Sequence, residues 1–461
     1  MEDCDRLARP KALATRRDFL RNSSLAGACL LSPGAFAWAE AAGTPDFRIE
    51  ITETEWELSP RKKIRTAVYN GQIPGPLLRV TEGRAVTIDI FNGLKHPEIV
   101  HWHGQWIPVA VDGAAEEGSP MIPAGGTTRI TFTPRPAGLH WYHTHAMAGH
   151  SLNLGLYTGQ SGVLHVASPS EAGAYDQEQF IVLHDWESYY VPADDGSQMV
   201  DYAAASINGR MLGHGDPIRV REGQRVLFQI LNASATEPHW LALPGHRFQV
   251  LALDGAAVAT QASVDLLRLG PAERITALVT MNRPGVWAFG EPRKCFLHAG
   301  MGIVVEYAGS TGKPVEPQAA ALTWDYRLFG AAIPRTFTPE ITIPMVFTSR
   351  FTGQGSLGKW MINGKSWPHP EPFEFHAGVR HRLVFENHST DDHPIHLHRH
   401  NFELVSIRGN ATSGVHKDVV VVEAGTTVEA DLIPNNPGNT LFHCHQQDHM
   451  DAGFMALFRY A

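Results

Sequence analysis

The chain has 461 residues, 43% of them apolar and 18% charged, with a formal charge of −9. That length and balance describe a soluble globular protein of two to four domains and exclude a disordered chain. No Lys/Arg block stands out, which excludes nucleic acid as the expected partner, and four cysteines against 25 histidines exclude a disulfide scaffold.

Residues 1–42 form an expected export signal. Arg16 and Arg17 are followed by Asp18-Phe19-Leu20, then by a small-residue, mildly apolar run and small-residue cleavage sites near Ala37 and Ala39. This is the pattern of a twin-arginine signal, so the protein is expected to be periplasmic or otherwise exported by the twin-arginine machinery. Cys4 and Cys29 leave with it. No later stretch is apolar enough to span a bilayer, so an integral membrane protein is not expected.

Beyond the signal, one frame occurs three times: "YNGQIPGPLLRVTEGRAVTIDIFN", "INGRMLGHGDPIRVREGQRVLFQILN" and "INGKSWPHPEPFEFHAGVRHRLVFEN". Each opens on Asn-Gly (Asn70, Asn208, Asn363), carries a turn glycine (Gly83, Gly223, Gly378) and ends on an asparagine (Asn92, Asn232, Asn387). Apolar and polar residues alternate between glycine and asparagine, the period of a half-buried strand. The expected architecture is all-β: three consecutive β-sandwich domains over 43–168, 175–310 and 335–461.

The repeat also organises the histidines. Nine residues past Asn92 comes "HWH" (His101, His103), and nine past Asn387 comes "HLH" (His396, His398). Five past Gly138 comes "HTH" (His143, His145), and five past Gly438 comes "HCH" (His443, His445). At the matching places the middle domain has Leu241 and Leu243, then Gly290-Glu291-Pro292. Residues i and i+2 of a strand share a face. Four such pairs from two equivalent domains can therefore converge as eight imidazoles, a donor set that suits Cu, Zn, Fe or Ni.

The same alternation turns Cys444 away from His443 and His445, free to serve a second metal with the unpaired His393 and His449. A His₂Cys set is that of a blue-copper electron-transfer site. Its thiolate is then unavailable for a disulfide, which leaves Cys295 as an expected lone buried thiol. His400 is in phase with the ligands but has no partner, and Arg399 faces away from them without an evident purpose.

The motifs "HWHG", "YHTH", "HPIHLH" and "HCHQQDH" together resemble the multicopper oxidases, most closely bacterial three-domain laccase-like enzymes and copper-efflux cuprous oxidases. The resemblance covers the whole chain after the signal. It implies three cupredoxin-like Greek-key domains and about four coppers per chain. It assigns type 1 copper to His393, Cys444 and His449, and type 2 copper to His101 and His396. It assigns the type 3 pair to His103, His143 and His445 on one copper and His145, His398 and His443 on the other. A small reducing substrate is oxidised at type 1 copper, and dioxygen is reduced to water at the inner cluster. Asp112 matches an acidic position that orients water or relays protons. Where the family often has an acid after the last type 1 histidine stands Met450, flanked by Asp448 and Asp451. The axial position of type 1 copper falls on Phe454, with Met455 one residue out of register.

The chain has 11 methionines and no methionine-rich insert, which favours phenols, aromatic amines or a broad range of donors over dedicated cuprous oxidation. Asp391 and Asp392 form either an acidic rim for cationic donors or a solvated turn. The alternatives are a cuprous oxidase of copper tolerance and a non-catalytic copper-binding cupredoxin protein.

Overall fold

The computed structural model describes residues 43–168, 175–193, 196–319 and 321–461. The expected export signal, with Arg16 and Arg17, lies outside the described residues.

The repeated frame forms strands because its ends are tied in the same way each time. Asn70, Asn208 and Asn363 adopt positive φ, near 50°, at the Asn-Gly turns. Their side chains accept from the backbone of Glu50, Val182 and Val346. Asn92, Asn232 and Asn387 are wholly buried. Each amide donates to at least two carbonyls, Ile122, Leu269 and Val422 among them, and each side-chain oxygen accepts from the N–H two residues on. The frame is therefore a set of backbone clamps that fix where the next strand starts.

That next strand is the histidine-bearing one in the outer domains: Val100–His103 in domain 1 and His393–Leu397 in domain 3, with His239–Leu241 in the middle. In domain 1 the sheet runs Gly75–Thr81, Ser161–Ala167, Gly138–Thr144, Val100–His103, and His101 pairs in register with His143. In domain 3 it runs Phe373–Phe375, Met455–Tyr460, Thr440–Cys444, His393–Leu397, Val419–Val422, and His396 pairs with His443. A second sheet closes each sandwich: Lys62–Tyr69, Phe47–Ser59, Val86–Asn92 and Thr127–Phe132 in domain 1, and six strands from Ile341–Arg350 to Thr427–Leu432 in domain 3. The middle domain is built around a seven-stranded sheet. The architecture is three cupredoxin-like β-sandwiches, with few and short helices among the described residues, none long and apolar enough to cross a membrane.

The middle domain fills its ligand-equivalent positions differently. Leu241 and Leu243 are core. Beside them His239 is buried between Asp185 (2.8 Å) and Glu291 (3.4 Å). Burial pushes its pKa down, but the two carboxylates outweigh that and carry it up to about 9. A buried ion-pair set thus stands near where the outer domains place ligands.

Candidate metal centres

The eight paired histidines meet between domains 1 and 3, and all are buried. His101 stacks on His398 with ring centres 4.0 Å apart, and His103 stacks on His396 at 3.8 Å. The ligand atoms form three groups: His101, His103 and His396; His103, His143 and His445; His145, His398 and His443. Within each group they lie within 4.8 Å of one another. No group among the described residues draws on the middle domain.

Hydrogen bonds aim most of these rings. The Nδ1–H of His101 donates to the Asp112 carbonyl (2.8 Å), and that of His396 to the Asp418 carbonyl (2.8 Å). His143 donates to the Thr144 carbonyl at 2.7 Å and His443 to the Cys444 carbonyl at 2.8 Å. His398 donates to Asp112 Oδ2 at 2.8 Å. A bonded Nδ1–H leaves Nε2 as the lone-pair nitrogen. The Nε2 atoms of His101, His103, His143, His145, His396 and His445 are buried without any hydrogen-bond partner. Those of His398 and His443 face each other at 3.1 Å. Burial first, and mutual repulsion second, holds His103, His396 and His398 well below the usual histidine pKa, so their rings are neutral. So many converging, unsatisfied lone pairs in a dry interior are costly without a shared cation. The donor set fits a cluster of imidazole-binding metal ions.

The second set lies on the opposite face of the same strand. Cys444 Sγ is 3.7 Å from His393 Nδ1 and 3.7 Å from His449 Nδ1, and the two nitrogens are 3.2 Å apart. The centre of that triangle is about 2 Å from each atom, close to metal–nitrogen and metal–sulfur bond lengths of roughly 2.0–2.3 Å. Burial pushes the Cys444 thiol well up, so a bound metal is needed to ionise it. The surroundings are aromatic. Trp360 lies 4.0 Å from the His449 ring, and Phe454 lies 4.8 Å from that of His393. Phe454 thus faces this set. Met455 pairs across the sheet with His443 and packs with Leu441, Met450 and Leu457 on the other side.

Asp112 is wholly buried, its carboxylate also 3.3 Å from His101 Nδ1. Gly113 follows it at φ 89°, where a Cβ would lie 1.9 Å from the Val100 carbonyl oxygen, so the turn that delivers Asp112 requires glycine. His400 is absent from the metal-binding groups and bonds Tyr460 Oη at 2.7 Å. Arg399, for which the sequence offers no purpose, is a clamp: its guanidinium donates to carbonyls of Ile107, Asn436, Pro437 and Asn439, joining domain 1 to domain 3. Cys295 is half-buried rather than buried and is in no disulfide. It opens a surface helix, Lys294–Ala299, beside Arg293. Asp391 Oδ2 is 3.8 Å from His449 Nε2, and Asp392 is paired with Arg268 at 2.6 Å.

Met450 and Gln447 line a cavity of about 10 Å³ with His143, His145, His443 and His445. The Gln447 amide donates to Asp451, whose carboxyl burial pushes up to about 7, and burial carries Asp448 to about 6.

The sequence missed several groups. Glu117 lies 3.5 Å from His398 Nδ1, and its carboxyl is pushed well up by burial and then by the Asp112 charge. Glu116 lies 3.7 Å from His145 Nδ1, and Asp418 3.7 Å from His103 Nδ1. The doubled acid in "DGAAEEG" is the one signal that pointed to the first two.

Sequence profiles described as multicopper oxidase match residues 50–171, 178–293 and 339–461. Multicopper oxidase MmcO of Mycobacterium tuberculosis is 30% identical over 443 residues, covering 86% of this chain and 83% of the relative. The laccase of Phlebia radiata is 26% identical over 95% of this chain and 93% of its own. Among solved structures, Fet3p, a multicopper oxidase that functions in iron import, superposes with a TM-score of 0.77 at 18% identity, over 90% of both chains.

Proposed function

The chain belongs to the multicopper oxidase family, oxygen-using copper oxidoreductases, and on that premise we propose that it couples one-electron oxidation of small donors at the Cys444 set to four-electron reduction of dioxygen at the inner cluster. The supporting observation is the strand that carries both sets: Cys444 faces one and His443 and His445 the other, so a single peptide unit separates outer thiolate from inner imidazole. Bound copper would supply the electron acceptance and the oxygen reduction. By ligand counting the complement is four: type 1 at His393, Cys444 and His449, type 2 at His101 and His396, and a type 3 pair on the remaining six histidines.

The chain's residues do the rest. Trp360 and Phe454 exclude water from the outer set, which keeps it a one-electron relay. Asp112 orients His398 and His101, and with Glu117 places carboxyl groups where water is formed. Asp391, partly exposed beside His449, favours a donor with a positive charge or an ionisable O–H or N–H. Phenols and aromatic amines are the proposed donors, and a metal-ion donor is the second reading on the same carboxylate.

Export by the twin-arginine route, with periplasmic residence, is proposed from Arg16 and Arg17. Cell fractionation of an Arg16→Lys, Arg17→Lys double variant tests it, with retention in the cytoplasm expected. For the catalytic reading the test is metal analysis with oxygen uptake on a phenolic donor. About four coppers per chain and donor-dependent oxygen consumption are expected. One copper per chain, or predominantly zinc, would refute it.

A further inference from the structure

Two buried aspartates stand in matching places beside the inner cluster. Asp112, in domain 1, accepts from His101 of its own domain at the main-chain carbonyl and from His398 of domain 3 at the carboxylate. Asp418, in domain 3, accepts from its own His396 at the carbonyl, and its carboxylate lies 3.7 Å from Nδ1 of domain 1's His103. The two differ in what stands behind them. Behind Asp112 is a second carboxyl, Glu117. Behind Asp418 is a guanidinium from the middle domain: Arg274 Nη1 reaches Oδ1 at 2.5 Å and Nη2 reaches Oδ2 at 2.6 Å, with both residues wholly buried.

A bidentate fork fixes a carboxylate in plane as well as in place. The fork itself has no freedom left. Its remaining N–H groups donate to the carbonyls of Leu139 (3.3 Å), Ala272 (3.2 Å) and Asp254 (3.1 Å), so all five guanidinium donors are used. Leu139 belongs to domain 1, so Arg274 touches all three domains. Gly104 makes room for it. A Cβ at that φ of 81° would lie 2.6 Å from Asp418 Oδ2 and 2.8 Å from Arg274 Nη2. His140 Nδ1 of its own domain would be equally close at 2.6 Å, so the glycine of "HWHG" is required by groups of all three domains.

We propose that Arg274 is a positioning residue for the inner centre: by locking the Asp418 carboxylate it fixes the residue whose carbonyl orients His396, which makes the middle domain part of the type 2 copper site. This rests on the assignment of His101 and His396 to type 2 copper. Removing one partner of a buried pair leaves the other charge uncompensated. The Asp418 side chain is then no longer fixed, and the carbonyl that receives the His396 Nδ1–H loses its side-chain anchor and keeps only the backbone bond from Leu397 N–H (3.1 Å). Loss of such a supporting contact costs roughly 10–100-fold in metal affinity.

The test is electron paramagnetic resonance of the copper-loaded full chain before and after dialysis against a chelator that the wild type withstands. Arg274→Gln is expected to lose the type 2 signal while the blue absorption of type 1 copper stays. Lys417→Met is the comparison, because Lys417 bridges Asp254 and Glu273 at 2.9 Å each on the same interdomain surface without touching the Asp418 carboxylate. It is expected to lower the melting temperature and keep type 2 copper. Full retention of the type 2 signal in Arg274→Gln overturns the proposal, as does equal loss in both variants, which would mean general loosening of the interface. If Arg274→Gln does not fold, Arg274→Lys decides: it keeps the charge and loses the fork, so weaker retention than wild type is expected and equal retention overturns the proposal. A wild type that shows no type 2 signal at full copper loading removes the underlying assignment before any variant is compared.

Discussion

The two candidate metal sets share one strand and differ in nearly every other physical respect. The outer set has one sulfur and two imidazoles in an aromatic shell of Trp360, Phe347 and Phe454, with the Ser389 hydroxyl and Asp391 as its polar neighbours. The inner set has eight imidazoles ringed by Asp112, Glu116, Glu117 and Asp418. On the proposed function the outer set passes single electrons, which needs constant geometry and little water, and the inner set turns dioxygen into water, which consumes protons and needs acids near it. Cys444 and its two neighbours put both environments within three consecutive residues, and only strand alternation keeps them apart.

The sharpest break in that comparison is Cys444→Ser. It should abolish the thiolate–copper absorption and reduce turnover to background, while the inner set, on the other face, keeps most of its copper. Absorption spectroscopy and metal analysis check it, and a surviving blue band would remove Cys444 from the outer set.

Asp112→Asn should act on the inner side alone. Its side-chain oxygen can still accept from His398, so ligand geometry is kept while the carboxylate is lost. Reoxidation by dioxygen should slow by roughly 10²-fold or more, the scale of general acid–base catalysis. Reduction of the type 1 copper by donor should be unchanged. Stopped-flow traces with the opposite pattern would make Asp112 structural. Glu117→Gln should give a smaller slowing of the same step, since Glu117 stands behind Asp112 rather than replacing it.

The grouping of the histidines and Cys444 was legible in the sequence because strand alternation and an internal repeat are local signals. His101 and His103 share a face whatever the rest of the chain does, and the frame ending at Asn92 and Asn387 gives both domains the same offset. Apart from Asp112, which the family resemblance singles out, the acids were not legible in the same way. Asp418 lies 22 residues beyond His396, at the head of the neighbouring strand, and only sheet pairing returns it to that histidine. Arg274 and Arg399 act across domain boundaries, which no spacing rule reaches. The middle domain was readable as free of the histidine pairs, because Leu241 and Leu243 occupy the frame. Its charged interior was hidden, because Asp185, His239 and Glu291 come from separate segments and meet only in the fold.

The smallest expected effect concerns the apolar end of the outer set. Phe454 follows the helix Gln447–Asp451, accepts the Cys444 N–H at its carbonyl (3.1 Å) and turns its ring toward His393. It offers no lone pair. A site without an axial donor, in an apolar shell, favours Cu(I) and a high potential. Phe454→Met places a thioether there without a large change in volume, so the potential of the blue centre should fall while stability changes by less than about 1.5 kcal/mol. Met455→Leu is the counterpart. Its side chain packs with Leu441 and Met450 on the far side of the strand, so the potential should hardly move. Redox titration of the blue band compares the two. A large rise for Met455→Leu with little response at Phe454 would mean that the thioether reaches the copper and that the strand is shifted by one residue, which would exchange the apolar and polar faces on which the contrast between the two centres depends.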